Sequence, residues 1–250
     1  NPDANAASLA RVIGTDQVLA ARVLRWANSA YFGLSNAVIT VQQAIMVLGM
    51  NAVQELIMTS SVSEQLSRSA PGYDLQRGEL WQHALGTAIG AKLISQQQHL
   101  HIDDEAYFAG LLCDIGKLVF ERLLRETQIN PVDGGLHSFL EVERAHFGLD
   151  HAMLGAEIAR CWSLPENLVN AIAHHHEPQA EQSQPQLVAA IHVADVAMMI
   201  LGIGIGIDGL MYPLDERAMY SLGMSGDDLI TLVDEISGQL SKAKDLISPG

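Results

Sequence analysis

His83, Asp114, Lys117, His151, the run His174 to His176 and Asp195 are polar or ionisable groups, most of them inside strongly apolar stretches. A buried carboxylate is costly unless it is paired or bound to a metal, and Asp195 sits in "AAIHVADVAMMI", apolar on nearly every side. Each group has a simpler reading by itself. His83 can be a hydrogen-bonded core histidine, Asp114 and Lys117 an (i, i+3) helical ion pair, and the histidine run a solvated, dipole-favoured helix end. Taken together, those readings require five coincidences between residues 83 and 195. A shared site is simpler: two carboxylates and several imidazoles converging from different helices form a donor set for a divalent transition metal such as Fe, Mn or Zn. Such a centre lowers the pKa of a bound water and lets it attack a phosphoester.

The elements that must position these groups are helices. Apolar residues recur at three- and four-residue spacing along most of the chain, and alternating β-branched runs are scarce, so an all-α, multi-helix bundle is expected. Four helices, at about 3–14 with Asp3 as N-cap, 16–28, 40–48 and 51–66, form an N-terminal lobe spanning residues 1–70. After the polar stretch "SRSAPGYDLQRG" come helices at about 79–97, 103–123, 136–146, 150–161, 164–175 and 185–201, which make a core over 78–201. Two more, at 215–221 and 226–246, lie in a C-terminal segment, 209–250, and the whole is expected to be a single domain. On the helix of His83, Gly86, Thr87 and Gly90 share its stripe and would let a second helix bring another polar group close. "SLPEN" predicts a capped start, with Ser163 as N-cap, Glu166 completing a capping box and Pro165 in the first turn.

Composition narrows the partners. The 250 residues are 48% hydrophobic, enough for a sizeable core, and carry a formal net charge of −15 with only 14 basic residues. That balance argues against gripping a nucleic-acid backbone. Cys113 and Cys161 have no paired spacing, which favours a reducing cytoplasm over a disulfide scaffold. The apolar run Leu187–Ile207 carries Asp195 near its middle and three alternating glycines at its end, so it reads as a buried core helix and not a membrane span. The sequence starts at Asn1 without a methionine and reads as a fragment of a longer chain.

The order His83, Asp114 in "DIGK", His151, "HHHE" and Asp195 resembles the HD superfamily of metal-dependent phosphohydrolases, including its cyclic-dinucleotide phosphodiesterase branch, HD-GYP. "DQVLAARVLRWANSAYFG" and "ITVQQAIMVLGMNAVQELI", followed in order by "LWQHALGTAIGAKL", "AYFAGLLCDIGKLV", "HAMLGAEIARCWSLPENLVNAIAHHHEP" and "AAIHVADVAMMI", are similar to the HDOD domain, a bacterial signalling module related to those hydrolases. The likeness covers about residues 1–201, and such domains usually begin one short helix earlier. It implies metal ligation by His83, Asp114, His151, Asp195 and a late pair best matched by His175 and His176, with His174 leaving the register open by one. Lys117 matches the basic residue after the HD pair. Cys113 stands where that pair has its histidine, and no "GYP" follows the histidine run. A thiolate at Cys113 could ligate the metal in the imidazole's place; equally, the residue could be a small hydrophobe filling the vacated volume.

The resemblance therefore implies a non-catalytic regulatory or scaffolding module with a degenerate HD metal site, its partners being signalling proteins or other domains of a longer chain. The alternative is a metal-dependent phosphohydrolase for nucleotides or cyclic dinucleotides, in which Asp114 bridges metals and Lys117 contacts a phosphate oxygen. A third reading is a receptor that holds a nucleotide ligand without cleaving it, using Arg144, Arg160 and Trp162.

Overall fold

The computed structural model describes residues 2–127, 138–180, 183–206 and 212–243; among them the regular structure is entirely helical, with no strand beyond one isolated bridge between Ala70 and Leu75. The all-α expectation holds. The chain divides into two compact units, 1–64 with 239–250, and 65–238.

The first unit contains α1 (Pro2–Gly14), α2 (Gln17–Ala27), α3 (Val41–Leu48) and most of α4 (Met50–Leu66). Local capping fixes two of these starts. Asp16 accepts from Val18 N and Leu19 N at the head of α2, and Thr40 accepts from Gln43 N at the head of α3. α1 begins at Pro2, one residue before the expected N-cap, and so places Asp3 in its first turn. The core of this unit gathers Ile13, Val23, Trp26, Val41, Ile45 and Val53.

The second unit carries a 3₁₀ turn (Pro71–Tyr73) followed by α5 (Glu79–Gln97), α6 (Asp103–Leu112), α7 (Lys117–Thr127), α8 (Phe139–Phe147), α9 (His151–Cys161), α10 (Glu166–His174), α11 (Pro185–Ile200), α12 (Glu216–Ser221) and most of α13 (Gly226–Lys242). α5 is its axis, packed on α6 and α11 through the expected small residues. A Cβ on Gly90 would lie 3.0 Å from Ala194 Cβ, and one on Gly110 would lie 3.0 Å from Thr87 O, so these glycines set how near the helices come. α11 is buried on every side from Leu187 to Met199, and no helix among the described residues is long and apolar enough to cross a membrane.

Three local expectations are corrected. The spacing predicts one helix over 103–123, but the chain breaks between α6 and α7 at Cys113–Gly116. The cause is tertiary: a Cβ on Gly116 would lie 2.0 Å from His151 O, so this turn is pressed directly against the start of α9. No capping box forms at "SLPEN" either. Pro165 occupies the N-cap of α10 without a side-chain bond, and Ser163 takes a left-handed φ of 57°. Finally, α8 begins at Phe139 behind Ser138, whose side chain accepts from Glu141 N, later than the predicted 136; residues 136 and 137 lie outside the described residues.

Candidate metal centre

Asp114 occupies the turn between α6 and α7 and lies at the middle of the site. Around its carboxylate stand His151 Nε2 at 3.3 Å, His83 Nε2 at 3.6 Å and His175 Nε2 at 3.9 Å, while Lys117 Nζ lies 2.9 and 3.0 Å from its two oxygens. His176 Nε2 is 2.9 Å from His151 Nε2, and Asp195 Oδ1 is 2.7 Å from His83 Nε2. Two overlapping donor sets result, Asp114 with His151, His175 and His176, and Asp114 with His83 and Asp195, each within 4.8 Å. Six of the seven residues expected as ligands are thus brought together. The register of the histidine run is also resolved, since His175 and His176 face the cluster and His174 lines a different cleft.

Cys113 is not brought in. Its Sγ donates to Gly110 O at 3.2 Å, the residue is buried, and burial beside Asp114 pushes the thiol well above its usual range. Turned to a backbone carbonyl and fully buried, the thiol fills the volume of a small core residue.

Three imidazoles of the cluster are each turned by an outer partner. His83 Nδ1 donates to Ile203 O at 2.8 Å, His175 Nδ1 to Ile172 O at 2.7 Å, and His151 Nδ1 to Glu143 Oε2 at 2.8 Å. Those acceptors fix the tautomer and aim each Nε2 inward, the arrangement by which outer partners orient metal-binding histidines. Glu143 is itself fully buried and also accepts from the Tyr73 hydroxyl and from His151 N at 2.6 Å. The sequence reading missed Glu143, Tyr73 and the buried His192, which donates from Nδ1 to His175 O at 2.9 Å and accepts from Asp215 N at 2.9 Å. His192, three residues before Asp195 on an apolar helix, was the one with a readable signal.

The charges are arranged around the carboxylates. Burial alone would raise Asp114, but the Lys117 ammonium together with His151 and His83 holds it well below the usual carboxylate range. Burial alone would likewise raise Asp195, and the His83 hydrogen bond lowers it instead. His151 is raised to about 9 despite burial, chiefly by Glu143, and His83 is raised by Asp195. Burial lowers His175, and it lowers His176 strongly with help from the other two imidazoles. Without an ion, the proton on His151 is a counter-charge within the cluster.

These residues fit a divalent transition metal. Among the described residues His175 Nε2 and Asp195 Oδ2 are buried with no hydrogen-bond partner, an expensive state unless something else binds them. Donors about 2.1 Å from one tetrahedral ion stand roughly 3.4 Å apart, close to the spacing around Asp114. The open space beside the cluster, lined by Tyr73, His83, Lys117, Gly204 and Tyr212 among others, measures about 20 Å³. That holds a water, whereas small-molecule sites run to roughly 300 Å³ or more. A larger cleft of about 270 Å³ reaches His176 from the other side, past Arg144, Arg160 and His174. Both arginines are committed there, Arg144 to Asp150 and Glu177 and Arg160 to Glu157 and Glu166, while Trp162 is half exposed.

A family description for the HDOD domain matches residues 1–178. The chain belongs to the HDOD domain family. A relative in Treponema pallidum (strain Nichols), an uncharacterized protein, is 28% identical over 210 residues, 80% of this HDOD chain and 39% of that protein, so the chain spans well under half of its relative's length. The crystal structure of an HDOD domain protein of unknown function from Geobacter sulfurreducens superposes with a TM-score of 0.74 at 26% identity, covering 97% of this chain and 85% of that one. A candidate phosphohydrolase from Shewanella amazonensis SB2B gives 0.74 at 23% identity, covering 96% and 87%. A candidate signal transduction protein from Marinobacter aquaeolei VT8 gives 0.76 at 21%, covering 97% and 55%. At these identities the last two likenesses establish a common fold.

Proposed function

We propose that this HDOD chain is a bacterial signal-transduction module, a regulatory or scaffolding output whose HD-derived cluster holds a divalent transition metal without hydrolysing a substrate. The observation that carries this reading is the inward convergence of three Nε2 atoms on Asp114, with His175 Nε2 and Asp195 Oδ2 making no hydrogen bond among the described residues. Asp114, His151, His175 and His176 would hold the ion, with His83 and Asp195 beside it; bound there, it would supply charge and Lewis acidity. Against catalysis stands Cys113, a buried thiol where the related hydrolases have an imidazole. Catalytic sites tolerate misplacements of only a fraction of an ångström.

The test is transition-metal content of the purified protein by mass spectrometry beside Asp114→Ala, with phosphoester turnover assayed on both. About one equivalent of metal lost in the variant, with no Asp114-dependent turnover, is the expected result. Absence of metal from the wild type removes the metal reading. Turnover that disappears in Asp114→Ala establishes instead the second reading, a metal-dependent phosphohydrolase, which the retention of the cluster and Lys117 favours.

A further inference from the structure

Arg144 stands in the last turn of α8, directly after Glu143, and its guanidinium reaches two carboxylates at once. Its Nε donates to Asp150 Oδ2 at 2.7 Å and its Nη2 to Glu177 Oε1 at 2.6 Å, with Nη2 also 2.6 Å from Asp150 Oδ2. Asp150 is buried, and its Oδ1 accepts from Met153 N at 2.9 Å to cap α9, whose first residue is His151. Glu177 is exposed and follows His176, its N–H donating to His174 O at 2.9 Å in the turn that ends α10. One planar fork therefore joins the residue before one cluster imidazole to the residue after another, and the two rings meet with 2.9 Å between their Nε2 atoms. Arg160 offers a contrast within the same cleft. It pairs Glu157 with Glu166 at similar exposure, but none of those three residues adjoins a member of the cluster.

His176 is the imidazole with most need of such a tie. Outer acceptors turn His83, His175 and His151 at Nδ1, whereas His176 Nδ1 stands 3.9 Å from Asp195 Oδ2, past hydrogen-bond length. Its ring packs on that of His175, 3.9 Å between centroids, so the course of its backbone decides where Nε2 points. We infer that Arg144 is a positioning residue of the metal centre, bracing the His151 and His176 segments so that their Nε2 atoms converge on one ion. The inference rests on the metal reading above. The brace belongs to the folded chain itself, so these donors are gathered before an ion arrives and binding does not have to order them. A lysine cannot replace it, because a point charge lacks the fork that meets two carboxylates together.

Zn²⁺ titration of the chain tests the brace with variants that keep every charge. Arg144→Lys should weaken Zn²⁺ binding by roughly tenfold, the lower end of the cost of losing an outer partner, while Arg160→Lys stays within about twofold of wild type. Glu177→Asp, at an exposed site where folding is not at risk, is one carbon too short for the fork and should also cost roughly tenfold. The double variant Arg144→Lys/Glu177→Asp should bind no more weakly than the weaker single one, since both cut the same link. Were Arg144 acting only through its charge, neither Arg144→Lys nor Glu177→Asp would alter affinity. Stoichiometric uptake with either of these variants matching wild type, with losses that multiply in the double variant, or with Arg160→Lys weakened as much as Arg144→Lys, overturns the brace alone. Failure of the wild type to take up stoichiometric Zn²⁺ overturns the metal reading itself.

Discussion

Glu143 holds His151 twice, accepting from its backbone N–H at 2.6 Å and from its ring Nδ1–H at 2.8 Å, with neither residue accessible to solvent. One carboxylate therefore fixes both the start of α9 and the orientation of the imidazole that meets Asp114. Replacing Glu143 by Gln keeps the shape and removes the charge. The expected outcome is a fall in metal affinity of about 10- to 100-fold and a lowered His151 pKa, followed by Zn²⁺ titration and by NMR of the imidazole. Unchanged affinity would show that His151 needs no anionic support.

The position of Cys113 makes a contrary forecast. Its sulfur faces Gly110 O and not the cluster, so Cys113→Ala should leave metal stoichiometry intact and cost about 1 kcal/mol through the lost burial of one heavy atom. Metal analysis beside a denaturant melt separates the two effects. Loss of metal with unchanged stability would return the thiolate to the ligand set.

Gly116 cannot carry a side chain. Alanine there would drive Cβ into His151 O and to 2.9 Å from Gly155 N, both backbone atoms that cannot step aside. Gly116→Ala should cost about 3 kcal/mol or more, visible as a large drop in melting temperature, and should displace Asp114 from His151.

The two raised histidines set a pH dependence. In metal-free protein the stability that protonated His151 contributes is complete below its unfolded pKa of about 6.5 and is lost as pH rises through its folded value of about 9. His83 acts in the same direction. Metal binding runs the other way, because an ion at Nε2 must displace the proton. Between pH 6.5 and 9 metal-free stability should decline while Zn²⁺ affinity climbs by about tenfold per pH unit for each proton expelled. Thermal melts and Zn²⁺ titrations across that range check both signs; affinity flat with pH would mean that His151 is not a ligand.

Much of the site was legible because its residues violate their surroundings. His83 and Asp195 stand out in apolar helices, and the glycines beside His83 announced a close neighbour, which proved to be α11 carrying Asp195. Glu143 was invisible for the opposite reason. In "EVERAHF" it sits among charged residues that look solvated, and its burial depends on Tyr73, 70 positions away in a polar loop. The break at Cys113–Gly116 was equally hidden, since apolar periodicity runs through it and the cause is the distant carbonyl of His151. Ser163 shows the limit of local rules: the residue types for a capping box are present, but the chain takes another path through the turn.

The His83–Asp195 hydrogen bond joins residues 112 apart in sequence, and His175 approaches Asp114 from 61 positions downstream. Closing loops of that size costs entropy before any contact repays it, so the cluster belongs to the late, non-local phase of folding. A partly folded chain lacks the cluster even when its individual helices have formed. A metal ion held there would thereby be a proofreading mark, carried by completed copies of the chain and withheld from their intermediates.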